Sequence, residues 1–209
     1  LASEDSASWI KSDRIRNSLI SELGIQAVVR GRLYPILVPY LPIAANPEDP
    51  WFLREIEEEN GLEAGVLDSG RWVKPKERRA QSQRVAHAML YFCDAMAANI
   101  LIRNGIYFRQ EKFFPRKDKR EALCCVRCQL WGHIAKDCKA DHDTCGTCGD
   151  KHRTSECCNP NKLYCVSCKS KDHASYHRGC KEFLKRCAAL DAKLPENLMP
   201  YYPTDAEWT

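Results

Sequence analysis

Three successive clusters of cysteine and histidine constrain this chain more than anything else in its sequence. Cys125-x2-Cys128-x4-His133-x4-Cys138 is followed by Cys145-x2-Cys148-x3-His152-x4-Cys157 and by Cys165-x2-Cys168-x4-His173-x6-Cys180. The repeat has a period of about 20 residues. Two cysteines separated by two residues set both sulfurs on one tight turn. A nearby imidazole and a third thiolate then close a tetrahedron with no open position, the arrangement of structural rather than catalytic zinc. Segments this short bury almost no apolar surface, so metal binding has to supply most of their folding free energy. The expectation is three Zn2+ per chain.

The chain has 13 cysteines, an odd number, in 209 residues. A secreted disulfide framework has no need of histidine at fixed offsets from cysteine, so the thiols read as reduced and the compartment as intracellular, cytoplasmic or nuclear. Two ambiguities remain in the ligand sets. His177 competes with Cys180 in the third unit, where the three-thiolate pattern favours Cys180. Cys124 and Cys158 each adjoin a ligand and fit one residue out of register. The spacing of Cys125, Cys128, Cys138, His142, Cys145, Cys148, Cys165 and Cys168 also fits a RING-type ubiquitin-ligase module with two interleaved zincs. That alternative leaves His133, His152, Cys157, His173 and Cys180 without a role. No strained nucleophile turn, paired-carboxylate signature or phosphate loop is present, so the chain is not expected to be an enzyme.

Charge is distributed unevenly. Residues 71–121 hold 13 Lys/Arg against 5 Asp/Glu, and residues 122–187 hold 12 against 7. Such a distribution is the footprint of a polyanion binder. Zinc with three thiolates and a neutral histidine carries a net −1, so ligation removes about three charges from the second stretch. Phosphate affinity is therefore expected to come largely from Arg78, Arg79, Arg116, Lys117, Lys119 and Arg120, with Arg127, Lys136, Lys139 and Arg153 in the cysteine-rich units. Val126 and Ile134 would form a small apolar platform for an unpaired base; Trp131 would either stack on a base, a contact worth about 1–3 kcal/mol, or pack against a neighbouring knuckle. Gly132 would give the backbone freedom beside His133.

The preceding half reads as an α+β domain. A helix is expected over 3–24, then β-forming residues from Val28 to Leu41. A helix follows, capped by Asp49 with Pro50 in its first turn. Strands are expected at 66–73 and 85–92, a helix capped by Asp94 at 95–104, and a last strand at 106–114. From Tyr34 the order is βαββαβ, that of the ferredoxin-like fold of RNA-recognition motifs. Alternation in 85–92 puts Ala86, Ala88, Leu90 and Phe92 toward the helices and His87, Met89 and Tyr91 on the open face, where Leu37 joins them. The aromatic pair that stacks bases is missing there, which favours a scaffold or protein-contact role. The first helix is expected to cover this face with Trp9, Ile15, Leu19 and Leu23, and self-association through the N-terminal or RRM-like region is a further expected contact. No run of 18 apolar residues occurs, so no membrane partner is expected. The chain opens on Leu1 without a basic-then-apolar leader and reads as a fragment.

The strings CVRCQLWGHIAKDC, CGTCGDKHRTSEC and CVSCKSKDHASYHRGC, together with PEDPWFLREIEEENGL, RVAHAMLYFCDA and LPENLMPYYPTDAEWT, resemble the Gag-like first-open-reading-frame proteins of non-LTR retrotransposons, most closely the fungal Tad-type elements. The resemblance implies an RRM-like domain followed by zinc knuckles; on the residue reading the segments are an N-terminal helix and strand extension (1–32), the RRM-like domain (33–121), three CCHC zinc knuckles (125–138, 145–157 and 165–180, within 122–187) and an acidic, proline-punctuated tail (188–209) expected to be irregular. It also implies binding of single-stranded RNA or DNA in a ribonucleoprotein, with nucleic-acid chaperone activity. A domesticated host protein would use the same module for cellular RNA or for a protein partner.

Overall fold

The computed structural model describes Trp9, residues 13–22, Gly24 and residues 31–209. The chain divides into two units: one takes in the chain as far as Asp118 together with Pro200–Thr209, the other is Lys119–Met199. This division differs from the expected boundaries, because the last ten residues belong with the first unit.

In the first unit Trp9 is 62% exposed, and on helix α1 (Asp13–Glu22) Leu19 is 42% exposed while Ile15 is half-buried. Leu23 and Val28–Arg30 lie outside the described residues. Strand β1 (Tyr34–Pro42) leads to helix α2 (Pro50–Glu59). There the Asp49 side chain accepts from the Trp51 N–H at 3.0 Å, and Pro50 occupies the first turn, where its missing N–H costs nothing. Strands β2 (Leu67–Trp72) and β3 (Val85–Phe92) follow. Helix α3 (Ala95–Asn104) has Asp94 accepting from Ala97 N–H at 2.7 Å.

The last expected strand is instead broken. β4 (Ile106–Phe108) and β5 (Glu111–Phe113) pair with each other in a separate hairpin. The cause lies at the turn. Arg109 and Gln110 both adopt positive φ (50° and 67°), the conformation of a tight two-residue hairpin. The Glu59 carboxylate holds the Arg109 N–H (2.8 and 3.1 Å), and the Asn60 amide brackets the main chain of Tyr107 (2.8 and 2.9 Å). The edge position beside β1 then falls to the two-residue strand β6 (Arg116–Lys117). The main sheet is wholly antiparallel, in the order β2-β3-β1-β6.

Alternation along β3 sorts as expected at its buried positions. Ala86, Ala88, Leu90 and Phe92 are at most 5% exposed; the last three belong to one core with Ile36, Val38, Leu41, Phe52 and Leu101, and Ala86 stands in register with Leu41. On the other face His87 is exposed, but Met89 is only 8% exposed. Met89 stands in register between Leu37 and Arg71, and Leu37 is opposite Arg116. Tyr40, at a positive-φ register break in β1, brings a second ring to this face, 5.1 Å from His87. A buried carboxylate, Glu57, is fully used: it accepts from Gly65 and Leu67 N–H groups and pairs with Arg54 at 2.6 Å, as a charge taken out of water must.

Residues 188–209 are not an irregular tail. Helix α4 (Lys181–Lys193) runs through the first of them, and a turn of 3-10 helix covers Pro195–Leu198. Pro200–Thr209 then packs on the first unit. Tyr202 is 4% exposed and belongs to its core; its ring meets Tyr34 edge-on at 5.1 Å and its hydroxyl donates to the Pro35 carbonyl at 2.5 Å. Lys117 donates to the Tyr201 carbonyl, and Arg103 lies over the Trp208 ring.

Candidate metal centres

Three backbone turns of one design build the second unit. In each, the N–H of the first cysteine donates five residues ahead and its carbonyl accepts from four ahead. The pairs are Cys125 N–H to Leu130 and Gln129 N–H to Cys125, Cys145 to Asp150 and Gly149 to Cys145, and Cys165 to Ser170 and Lys169 to Cys165, all at 2.8–2.9 Å. The residue after the second cysteine is left-handed each time: Gln129 (φ 59°), Gly149 (φ 79°) and Lys169 (φ 57°). This is the recurrent requirement of the fold; the positive φ at Gly132 (93°) serves the first repeat only.

The turns gather three donor sets: Cys125, Cys128, His133 and Cys138; Cys145, Cys148, His152 and Cys157; and Cys165, Cys168, His173 and Cys180. Within each set the ligand atoms lie within 4.8 Å of one another. Ordinary zinc bond lengths in a tetrahedron require S–S edges of about 3.8 Å and S–N edges of about 3.6 Å. The observed S–S edges are 3.8 Å (Cys148–Cys157) and 3.6 Å (Cys165–Cys180). The sulfur-to-Nε2 edges are 3.3 Å (Cys128–His133), 3.6 Å (Cys148–His152) and 3.4 Å (Cys168–His173). The residues therefore fit zinc, and the three sets are positioned to bind three metal ions.

The sets also resolve the sequence ambiguities. Cys180 is fully buried against Cys165, whereas His177 is exposed and its Nδ1 accepts from the Gly179 N–H. Neither Cys124 nor Cys158 joins a set. Donors group repeat by repeat and His142 stands exposed outside them, so the interleaved RING arrangement is not formed.

Protonation is uneven inside each set. Burial pushes the Cys125 thiol up, but N–H groups of Cys128 and Arg127 outweigh it and bring the thiol to about 7. Cys145 falls to about 6 in the same way, its burial outweighed by the N–H groups of Cys148 and Thr147. Burial pushes Cys128, Cys148 and Cys168 up to about 11, and the neighbouring sulfurs reinforce it.

The repeats are locked to one another. Gln129, 7% exposed, donates from its side-chain amide to the carbonyls of Val126 and Thr144, and its main-chain carbonyl accepts from the Ser167 hydroxyl at 2.9 Å. Tyr164 N–H reaches the Thr147 carbonyl, and Ser175 N–H reaches that of Gly146. Asp143 sits between Arg127 (2.9 Å) and Arg153 (2.8 Å), and Arg127 also donates to the carbonyls of Cys138 and Ala140. These two arginines, expected on phosphate, brace the first repeat against the second.

The other expected contact residues divide. Val126 (74% exposed) and Ile134 (48%) are open to solvent, joined by Leu123 and Leu130. Lys136, Lys139, Arg78 and Arg116 are exposed. Lys119 pairs with Asp191 at 3.1 Å, Lys117 is tied to Tyr201, and the main chain of Arg120 is held at both its N–H and its carbonyl by the Asn197 amide. Arg79 stacks on Trp72. Trp131 is half-buried against Phe183 of α4, with ring centroids 5.8 Å apart. Phe183, Gln129 and Asp143 escaped the sequence reading, because nothing in their local context marks partners between 10 and 52 residues away.

No known family profile matches the chain, and no solved structure does. A nucleic-acid-binding protein from the mobile element jockey of Drosophila funebris is 39% identical to it over 67 residues. The match spans 32% of this chain and 11% of that protein. Among the described residues no helix is long and apolar enough to cross a membrane.

Proposed function

We propose that this chain is a non-enzymatic, zinc-dependent binder of single-stranded nucleic acid, a Gag-like ribonucleoprotein component of a retrotransposon of the Tad type. The carrying observation is the trio of closed three-sulfur, one-nitrogen sets beside the exposed apolar residues Val126 and Ile134 of the first repeat. Likeness to the jockey protein supports the same reading. Zinc, when bound, supplies cross-links that hold each repeat; contact with the strand is left to side chains. Val126 and Ile134 offer a base a dry surface, while Lys136 and Lys139 meet its phosphates. The order β2-β3-β1-β6, with α2 after β1 and α3 after β3, supports a ferredoxin-like, RRM-like reading of the first unit, with β4 and β5 as an inserted hairpin. RNA is the strand proposed, and duplex annealing by the bound protein the proposed chaperone activity.

Fluorescence anisotropy with a labelled 12-nucleotide RNA tests this. The zinc-loaded chain is expected to bind with an affinity that falls as salt rises, and chelation to abolish most of it. Equal binding by zinc-free protein would overturn the mechanism.

A further inference from the structure

The two residues proposed to meet a base, Val126 and Ile134, follow the first cysteine and the histidine of their repeat. The same positions are Gly146 and Arg153 in the second repeat, Val166 and Ala174 in the third. Neither later pair is open as the first is. Gly146 is buried: a Cβ there would stand 3.0 Å from Oε1 of Gln129, and its carbonyl accepts from the Ser175 N–H at 2.7 Å. Arg153 is paired with Asp143. Ala174 is 5% exposed, and Val166 is half-buried with its N–H donating to the Ser175 hydroxyl at 3.0 Å. The second surface is thus covered by its neighbours, and the third is largely buried.

The same contacts bear on the first repeat. The Gln129 amide that lies against Gly146 donates to the Val126 carbonyl at 2.9 Å and to the Thr144 carbonyl at 3.3 Å. The Thr144 N–H in turn reaches the Arg127 carbonyl at 2.6 Å. Both carbonyls of the Val126–Arg127 main chain are therefore held, one by Gln129 and one by the segment entering the second repeat. Gln129 is held from the third repeat as well. Its main-chain carbonyl accepts from the Ser167 hydroxyl at 2.9 Å, and Ser167 stands between the ligands Cys165 and Cys168. A loop with no apolar core has little besides its metal and such hydrogen bonds to fix its shape.

We infer that the cysteine-rich unit carries one base site, on the first repeat, and that the second and third repeats brace it, with Gln129 as the positioning residue. This rests on the nucleic-acid reading above. Three independent repeats would each present a base surface. Here the second and third give theirs up to packing, and the first is held in one shape by the result. Less conformational freedom is then lost when a base docks on Val126 and Ile134. Emptying the third set would weaken a contact made by the first, although no ligand of the first is touched.

Methyl NMR of the full zinc-loaded chain tests this, because Val126 and Ile134 report on the first repeat and Val166 on the third. A 12-nucleotide RNA of mixed sequence is expected to shift the Val126 and Ile134 methyl signals and to leave Val166 unmoved. Ser167→Ala keeps all twelve ligands and should retain three zincs, yet bind that RNA about threefold more weakly, from one lost hydrogen bond. Ser167→Thr, which keeps the hydroxyl, should bind as the wild type does. Cys168→Ser should hold two zincs and lose at least about fivefold in affinity, the low end of what one stacked base contributes, together with the Val126 shift. A Val166 shift as large as that of Val126 would overturn the single site. Unchanged affinity in Ser167→Ala would overturn the brace, whatever zinc Cys168→Ser retains. Either result leaves zinc-dependent binding by the wild type standing, whereas a wild type that binds no RNA would remove both readings together.

Discussion

Asn99 and Tyr202 exchange two hydrogen bonds across 103 residues of chain: the Asn99 amide donates to the Tyr202 carbonyl at 2.7 Å and its oxygen accepts the Tyr202 N–H at 2.8 Å. Asn99 is fully buried on α3, so its side chain acts as one rung of main-chain pairing for a segment that joins no sheet. Asn99→Ala would leave both Tyr202 groups buried and unpaired, a cost of about 2–4 kcal/mol. Chemical denaturation followed by circular dichroism should show that loss, and ending the chain after Met199 should cost more, since Tyr202 leaves the core with it.

Replacement of Cys180 by serine is expected to lower the zinc content from three ions per chain to two, whereas His177→Ala should leave three. Elemental analysis of purified protein checks both. Three ions in the Cys180 variant would restore His177 as the fourth ligand.

Zinc binding should release protons at neutral pH. Thiols of Cys128, Cys148 and Cys168 are held near 11 in the metal-free sets, so they are protonated at pH 7 and each must give up its proton to coordinate. The sign follows: affinity for zinc rises with pH and falls with acid. Calorimetric titrations in buffers of different ionisation enthalpy should return at least one proton released per ion, and a pH-independent affinity would contradict the assignment.

Salt dependence should separate exposed cations from those already occupied. Replacing both Lys136 and Lys139 by alanine is expected to reduce the slope of log affinity against log salt by up to about two. Lys119→Ala, which removes the partner of Asp191, should leave that slope unchanged. A slope that responds to Lys119 would show that its ion pair opens on binding.

Local signals in the sequence carried as far as local physics reaches. The twelve donors, the caps at Asp49 and Asp94 and the alternation in Val85–Phe92 each depend on residues a few positions apart, and each has its counterpart in the structure. Long-range choices were illegible. The strand expected over 106–114 yields to a hairpin because Glu59 and Asn60, some 50 residues earlier, hold its turn and first strand. Arg127 and Arg153 read as phosphate ligands because charge alone does not say that Asp143 will stand between them. Residues 200–209, polar and rich in proline, gave no periodic signal, yet Tyr202 is a core residue.

The return of Pro200–Thr209 to the first unit has a consequence for synthesis. On a translating ribosome the α/β body emerges first but lacks Tyr202, and the whole cysteine-rich stretch must be made before that residue appears. Ordinary N-terminal-first maturation is thus held open until Pro200–Thr209 has been made. A message truncated anywhere within the repeats would release a polypeptide whose leading domain is unfinished as well as its trailing one.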